Sequence, residues 1–336
     1  MTLPQTNTTP FYLPTIDITP YRQDPTSAAS KQLIHEIRTA CTSTGFFILR
    51  GHGIAPSLQK SLFDASAKFF ALPTATKLSI DMKKTPGFVG YDAMASQSYE
   101  ADVLPDLKEG YFFGTEAPVD DPEEVRHLCR GRNVFPPTDV LSDKDFRVPL
   151  QEYYAAVRDL GWLVMDLVAA TLPYGPDVFE GLKASNPNCP LRLLHYPPSP
   201  AEVGVGGKGR QLGSSAHTDF GAVTLLLQDG HAGLEVLDRA TGEWVCVPPD
   251  KDTYVVNLGD MIRRLTGEVY QSSLHRVMNR NETDRYSVVL FVQGNLDFRL
   301  RRLDGKDGEG EEVPTVREHL RGRLTRSYKV APGSKM

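Results

Sequence analysis

Apolar and polar positions in the first third of the chain alternate between helical spacing and short uninterrupted apolar runs. Residues 27–44 carry apolar side chains on one helical stripe, and Gly45 follows where this helix is expected to end. Residues 46–49 form an apolar run that predicts a short buried strand. A second amphipathic stripe over residues 56–71 predicts another helix, which Pro73 closes. This region is therefore expected to alternate helices with strands.

The pattern changes further along the chain. Residues 87–114 are rich in aromatic side chains and glycine, which favours a loop or hairpin, whereas residues 151–172 predict a long helix. From Pro190 onward, short β-branched and leucine-rich runs recur between turn residues. The predicted strands cover residues 191–196, 222–228, 234–237, 244–247, 254–258, 271–278 and 286–292. Such a series is typical of a sandwich or a jelly-roll barrel.

These elements predict a mixed α+β fold. We expect residues 151–336 to form a double-stranded β-helix (jelly-roll) catalytic core flanked by N-terminal and central helices. Residues 1–150 are expected to form a helical and loop region that packs on this core and is not an independent domain.

Composition narrows the functional class. The 336 residues are 40% hydrophobic and 24% charged, with a net charge of −5, which is ordinary for a soluble globular protein. The basic residues form no dense cluster, so nucleic-acid binding is not expected. No apolar run approaches the ~18–20 residues that span a bilayer, and a signal-peptide pattern is absent, so we expect a cytoplasmic protein. The C-terminal Ser334-Lys335-Met336 resembles a peroxisomal tripeptide, although a chance sequence is the simpler explanation.

A His-x-Asp pair and a distant histidine form the clearest candidate chemistry. His217 and Asp219 are two residues apart, so both side chains point to one face of an extended segment. A second strand carrying His275 would complete a set of two imidazoles and one carboxylate, which holds non-haem Fe(II) and leaves coordination positions open. The four cysteines show no C-x-x-C spacing, which argues against a zinc ribbon. The other histidines are interpreted as structural.

A second candidate site follows the histidine. Arg285 and Ser287 also share one face of a strand whose other residues are apolar. A guanidinium is costly to bury there unless an anion pairs with it, and its planar fork suits a carboxylate. If His275 and Arg285 lie on neighbouring strands of a hairpin, they are ~7–13 Å apart, a span that suits a five-carbon dicarboxylate. The alternative is an internal salt bridge of Arg285 with Asp260 or Asp284.

Motifs spread over nearly the whole chain follow one another in a recognisable order. They are Leu13-Pro14-Thr15-Ile16-Asp17, residues 45–54, residues 106–112, residues 131–136, His217-Thr218-Asp219-Phe220-Gly221, residues 224–229, Asn257-Leu258-Gly259-Asp260, residues 272–277 and Arg285-Tyr286-Ser287. Their order and spacing resemble the isopenicillin N synthase-like family of Fe(II)/2-oxoglutarate-dependent dioxygenases. The N-terminal region then corresponds to that family's N-terminal type.

The resemblance implies a role for each candidate residue. The implied iron ligands are His217, Asp219 and His275, and the implied 2-oxoglutarate ligands are Arg285, Ser287 and Tyr196. The chain departs from the family at Leu194, where an asparagine is usual, and at residues 265–268. The carboxylate ligand is intact, which argues against the halogenating variants that lack it.

The function implied is oxidation of a small molecule. Fe(II), 2-oxoglutarate and O2 would be used together, with succinate and CO2 as co-products. The aromatic, charge-poor strands favour a small, largely apolar substrate, such as an intermediate of specialised metabolism. The candidate substrate-lining residues are Tyr99, Tyr111, Phe113, Phe220 and Phe291. The sequence names neither the substrate nor the outcome among hydroxylation, desaturation, epoxidation and ring rearrangement, and it does not indicate an oligomeric state.

Two alternatives stay open at this point. One is an oxidase of the same fold that takes all its electrons from the substrate, in which case the Arg/Ser pair would bind that substrate. The other is a non-enzymatic, metal-containing barrel that binds or stores a small molecule.

Overall fold

The computed structural model describes residues 11–97, 104–116, 128–199, 211–308, 310 and 312–327. The N-terminal elements are β1 (Thr15–Asp17), α1 (Thr19–Gln23), α2 (Ala28–Ser43), β2 (Phe46–Arg50), α3 (Pro56–Phe70) and α4 (Thr74–Leu78). The central elements are a 3-10 turn (Met82–Lys84), β3 (Gly90–Asp92), β4 (Glu109–Phe113), α5 (Arg147–Ala170), a second 3-10 turn (Pro176–Phe179) and α6 (Glu180–Lys183).

The remaining elements form most of the barrel. The strands are β5 (Leu191–Tyr196), β6 (Ser214–His217), β7 (Val223–Gln228), β8 (Leu234–Leu237), β9 (Trp244–Cys246), β10 (Tyr254–Leu258), β11 (His275–Val277) and β12 (Arg285–Val292). Two helices accompany them, α7 (Asp260–Leu265) and α8 (Val316–Ser327).

The junction between α2 and β2 follows the sequence pattern closely. The Ser27 hydroxyl accepts a hydrogen bond from the Ser30 amide at 3.1 Å, which caps the first turn of α2. Gly45 ends the helix with φ +71, a conformation that L side chains rarely adopt. An added Cβ at this glycine would also collide with the Gln271 backbone. The predicted helix and the strand that follows it are therefore confirmed.

Two sheets face each other, as the predicted jelly roll requires. The large sheet has the order β1-β2-β10-β7-β12-β5-β4-β3, and the small sheet has the order β6-β11-β8-β9. β1 runs parallel to β2, and the other strand pairs are antiparallel. The N-terminal strands extend both edges of the large sheet, so the first third of the chain is built into the core.

Strand β12 shows how the large sheet separates a core from a cavity. Val288, Leu290 and Val292 are buried against the helices, where α5 packs on β12. Gly161 in α5 allows this approach, because a Cβ there would lie 2.9 Å from the Leu290 and Val292 side chains. Each buried aliphatic side chain contributes roughly 1.5–3 kcal/mol to folding. The alternate residues Ser287, Val289 and Phe291 point into a cavity instead.

The structure corrects three expectations about the elements. His275 and Arg285 do not form a hairpin, because β11 belongs to the small sheet and β12 to the large one. The strand expected over residues 271–278 is confined to His275–Val277. The long helix begins at Arg147 rather than residue 151, because Pro149 in its first turn needs no helical donor.

Some elements and segments lie outside those expectations. The sequence pattern did not indicate β6, α7 or α8. The C-terminal tripeptide lies outside the described residues. Helices with the length and apolar character needed to cross a membrane are absent from the described part of the chain.

Candidate metal and co-substrate site

The small sheet brings the two histidines and the aspartate together. β6 ends at His217, which lies directly opposite His275 on β11. Asp219 follows two residues after the strand, and its Oδ1 lies 3.8 Å from His217 Nε2 and 3.7 Å from His275 Nε2. One potential ligand atom from each of the three side chains lies within 4.8 Å of the others. These separations are close enough for one ion to bind all three side chains.

Backbone carbonyls orient both imidazole rings in the same way. His217 Nδ1 lies 2.7 Å from the Ser215 carbonyl oxygen, and His275 Nδ1 lies 3.2 Å from the Ser273 carbonyl oxygen. A proton on each Nδ1 donates to that carbonyl, so the lone pair that can bind a metal is on Nε2. The carbonyl is two residues upstream in both cases, which gives the two ligands a matching support.

The Asp219 carboxylate is held through its second oxygen. Asn257 on β10 donates from Nδ2 to Asp219 Oδ2 at 2.7 Å, which directs Oδ1 towards the histidines. The Asp260 amide donates to the Asp219 carbonyl at 2.8 Å. Gly259 is required for this approach, because an added Cβ would collide with the Gly221 carbonyl oxygen. The Asn257-Leu258-Gly259-Asp260 motif therefore supports the loop that carries the carboxylate.

The electrostatics of the cluster favour the ligand forms of these groups. Burial, followed by the neighbouring His275, lowers the pKa of His217 well below its usual range. Burial alone would raise the pKa of Asp219, but His275, His217 and the Asn257 hydrogen bond hold it below its usual value. Neutral imidazole and ionised carboxylate are the forms that coordinate metals. Two nitrogen donors and one oxygen donor, without thiolate, fit a ferrous ion with open positions.

Helix α8 packs against the outer side of the loop that carries Asp219. Arg323 donates from Nη2 to Thr218 Oγ1 at 2.9 Å and pairs with Asp260 Oδ2 at 3.0 Å. Its guanidinium also lies 4.6 Å from the Phe220 ring centroid. His319 Nε2 lies 2.9 Å from the Phe220 carbonyl oxygen. The C-terminal helix thus contacts both neighbours of Asp219 in the chain.

Arg285 is the buried cation that the sequence pattern singles out. Its side chain is 0% exposed, and its guanidinium donates to Gln228 Oε1 at 3.0 Å and to the His231 carbonyl at 3.2 Å. It lies 5.1 Å from the Tyr196 ring centroid. Within the described residues, Nη1 of Arg285 and the Ser287 hydroxyl are both buried without a hydrogen-bond partner. This pair of unsatisfied donors marks a position for an anion.

The salt-bridge alternative for Arg285 is wrong. Asp260 pairs with Arg323, and Asp284 lies 3.2 Å from His195 Nε2. Burial lowers the pKa of Arg285, and no carboxylate of the described ranges forms an ion pair with it. The guanidinium therefore lacks the internal counter-ion that the alternative requires.

One cavity between the two sheets joins these groups. It encloses about 990 Å³ when its open mouth is included. Its lining includes all six residues assigned by resemblance to metal and co-substrate: His217, Asp219, His275, Arg285, Ser287 and Tyr196. Leu194, which stands where the family usually has asparagine, lines it as well. The cavity therefore connects the three-donor cluster with the buried Arg285 guanidinium.

The expected substrate-lining residues divide into three groups. Phe220 and Phe291 line the cavity, and Tyr99 lies outside the described residues. The expectation for Tyr111 and Phe113 is wrong, because alternate residues of β4 face opposite ways. Tyr111 packs against Phe69 in the helix-side core. Phe112, between them, is the β4 residue that lines the cavity.

Several residues of the site were not anticipated. They are Asn257 behind the metal site, Arg323 on α8, and Gln97, Lys108 and Arg192 on the cavity wall. Asn257 and Lys108 lie within motifs that the resemblance already singled out. Burial lowers the pKa of Lys108, while Asp106 opposes that shift.

Comparisons with known proteins agree with this geometry. Residues 13–138 match the family described as "non-haem dioxygenase in morphine synthesis N-terminal". Residues 187–294 match the 2OG-Fe(II) oxygenase superfamily. The second match contains every candidate metal and co-substrate ligand.

Individual relatives cover nearly the whole chain. A 2-oxoglutarate-dependent dioxygenase, citB, from Monascus ruber is 58% identical over 97% of this chain and 98% of its own. A clavatol oxidase from Penicillium crustosum is 50% identical over 95% of this chain and 98% of its own. The solved structure of a full-length Neurospora crassa protein in complex with alpha-KG and thymine is similar with a TM-score of 0.78 and 26% identity, over 93% of this chain and 96% of that chain. The chain therefore belongs to the Fe(II)/2-oxoglutarate-dependent dioxygenases, which are non-haem iron enzymes that use 2-oxoglutarate and O2.

Proposed function

We propose that this dioxygenase oxidises a C–H bond of a small, mainly apolar molecule, by hydroxylation or a related reaction. In this proposal His217, Asp219 and His275 hold the iron, and Arg285, Ser287 and Tyr196 bind 2-oxoglutarate. The observation that carries it is the shared cavity, in which a three-donor cluster and an unpaired buried guanidinium face one space.

Charge balance supports the two binding roles. Two neutral imidazoles and one carboxylate leave a divalent ion with one unit of positive charge. The keto-acid end of 2-oxoglutarate carries one negative charge, and its distal carboxylate carries another. Arg285 neutralises that distal charge, while its Nη1 and the Ser287 hydroxyl supply the missing hydrogen bonds. The co-substrate therefore matches both the charge and the donor groups of the cavity.

The protein's own residues bind, orient and exclude water. When bound, the ferrous ion supplies the O2 chemistry that couples decarboxylation of 2-oxoglutarate to oxidation of the substrate. Asn257 keeps Asp219 Oδ1 directed at the ion, and the carbonyls of Ser215 and Ser273 keep the imidazoles in one tautomer. Apolar side chains around the site limit water, which protects the reaction from side products.

The relatives support a role in specialised metabolism. The clavatol oxidase is named for its substrate, and this chain is 50% identical to it. We propose that this protein likewise oxidises a small product of specialised metabolism. Residues 151–336 would form the catalytic core, and residues 1–150 would extend the large sheet and cover the core without folding separately.

The test is the coupling of succinate to O2. The purified chain is supplied with Fe(II), 2-oxoglutarate and candidate small molecules, and succinate, O2 uptake and substrate oxidation are measured together. The proposal predicts equal amounts of succinate and oxidised product, and loss of both in His217→Ala. Oxidation without succinate would favour the same-fold oxidase, whereas no Fe(II)-dependent O2 uptake with any substrate would favour a binding protein.

A further inference from the structure

Two more buried cations lie on the wall of the same cavity. Lys108, just before β4, is 5% exposed, and Arg192, on β5, is 6% exposed. Lys108 Nζ donates to Asp106 Oδ2 at 2.8 Å and to Ser214 Oγ at 2.8 Å. Arg192 Nη2 donates to Asp92 and, at 3.0 Å, to Gln97 Oε1. Both residues line the cavity.

The carboxylates that balance these cations lie behind the wall. Lys108, Arg192, Gln97 and Ser214 line the cavity, whereas Asp92 and Asp106 are not among the described residues that do. Asp106 is anchored further by the Ser215 amide at 2.8 Å and by the Ser215 hydroxyl. Within the described residues, the two cations therefore lie on the cavity side of this cluster and their two carboxylates lie behind them.

This wall is separate from the end of the cavity where Arg285 lies. Arg285 is paired in register with Tyr196, and Arg192 is paired with Val289 four residues further along β12. At ~3.4 Å per residue these backbone positions are about 14 Å apart. Arg192 is therefore displaced along the strands from the end of the cavity that holds Arg285.

Much of the remaining lining is aromatic or aliphatic. The Arg192 guanidinium lies 4.6 Å from the Phe112 ring centroid. The cavity is also lined by Phe46, Phe220 and Phe291. An aromatic ring fits such a surface, whereas an anion in it needs a charged donor because it loses its hydration.

We propose that Lys108 and Arg192 bind an acidic oxygen of the substrate, so that the substrate is a mainly apolar aromatic molecule carrying a phenolate, enolate or carboxylate. This inference rests on the proposed function, since it assigns the substrate end of the same cavity. The other source of an acidic oxygen is the metal-side carboxylate of 2-oxoglutarate. The test separates these two sources.

The experiment compares matched probes in wild type and four variants. The probe pairs are benzoate with methyl benzoate, and 4-hydroxyacetophenone with 4-methoxyacetophenone. Dissociation constants are measured anaerobically from the visible absorption of the Fe(II)–2-oxoglutarate complex, and by calorimetry on the metal-free chain. We expect wild type to bind the acidic member of at least one pair about 10- to 100-fold more tightly. Lys108→Met and Arg192→Met should each reduce that preference at least threefold, and Lys108→Arg or Arg192→Lys should restore part of it.

Lys77→Met is the matched control. Lys77 is a buried lysine that pairs with Glu109 Oε2 at 2.7 Å, but it does not line the cavity. Its loss should affect folding in a similar way without changing the preference between probes. This separates binding by Lys108 and Arg192 from general damage to the wall.

Three results would overturn the inference. The first is that wild type shows no preference for the acidic members of the probe pairs. The second is that the preference survives in both Met variants. The third is that those variants bind 2-oxoglutarate more weakly while the probe preference stays intact. If the visible band fails to form, calorimetry on the metal-free chain still measures the dissociation constants of the probes. Absence of that band in wild type would instead count against the proposed function.

Discussion

The two ends of the cavity both present buried cations, but they balance the charge differently. At one end, Arg285 has no carboxylate partner among the described residues, and its Nη1 is unsatisfied. At the other end, Lys108 and Arg192 each have a carboxylate behind them. An unpaired buried charge is costly, whereas a paired one is tolerated when the site is empty. We therefore propose that the first end binds the distal carboxylate of 2-oxoglutarate, whose charge Arg285 lacks in the empty site, and that the second end binds the acidic oxygen of the substrate.

Removing Arg285 should have the largest effect on ligand binding. Arg285→Met leaves the distal carboxylate of 2-oxoglutarate buried without a partner. We expect its affinity to fall about 1000-fold, or roughly 4 kcal/mol, while Fe(II) binding is kept. Anaerobic titration of the visible band measures this, with Arg285→Lys as the partial rescue. Unchanged affinity in Arg285→Met would remove the contrast between the two ends.

Stability without ligands should rank the two ends in the opposite order. Arg192→Met leaves Asp92 buried without its guanidinium, so the free energy of unfolding should fall by about 3 kcal/mol. Arg285→Met leaves no carboxylate behind, only the neutral acceptors Gln228 Oε1 and the His231 carbonyl, and should cost less, about 1–2 kcal/mol. Urea unfolding of both variants in the absence of metal and 2-oxoglutarate tests the ranking. A larger loss in Arg285→Met would mean that this cation is balanced internally.

The metal site between the two ends can be perturbed separately. Asn257→Leu removes the hydrogen bond that directs Asp219, and Fe(II) affinity should fall about 10- to 100-fold. Calorimetry with Fe(II) under anaerobic conditions measures the change. Asn133→Leu is the control, because Asn133 is a buried asparagine that bonds Gly114 instead of a candidate ligand. Equal losses in both variants would argue against an orienting role for Asn257.

The last comparison uses Lys77, a buried cation that faces away from the cavity and pairs with Glu109. Removing this ion pair should have the smallest effect on the protein. Burial alone would raise the pKa of Glu109, but hydrogen bonds from His195, Lys77 and Tyr91 hold it below its usual value. Because the folded pKa is depressed, the stabilisation is present above about pH 4.5 and is lost as the pH falls through the folded value. The difference in urea midpoint between wild type and Glu109→Gln should therefore shrink from pH 7 towards acid. A difference that grows on acidification would contradict this sign.

The sequence predicted the chemistry of the site better than the shape of its walls. His217, Asp219 and His275 are recognisable because few residue types bind iron, and Arg285 because a guanidinium stands out in an apolar strand. β6 was missed because Ser214-Ser215-Ala216-His217 has no apolar alternation, although it carries a candidate ligand. His275 and Arg285 lie in different sheets because the chain crosses from one sheet of the jelly roll to the other. The local turn residues do not encode this crossover.

The alternation of side chains along a strand explains why the residues that line the cavity were predicted wrongly. β4 is buried along its whole length, so its sequence does not reveal which face meets the ligand. Tyr111 and Phe113 were expected to face the cavity, but Phe112 does. Lys108 and Arg192 were overlooked because their partners, Asp106 and Asp92, become neighbours only through folding.

The most direct test of the account is iron-edge anomalous diffraction from crystals grown anaerobically with Fe(II) and 2-oxoglutarate. We predict one anomalous peak per chain, bonded to His217 Nε2, Asp219 Oδ1 and His275 Nε2, with 2-oxoglutarate density running from that peak to Arg285. A peak elsewhere, or 2-oxoglutarate density against Lys108 and Arg192 instead of Arg285, would contradict the account.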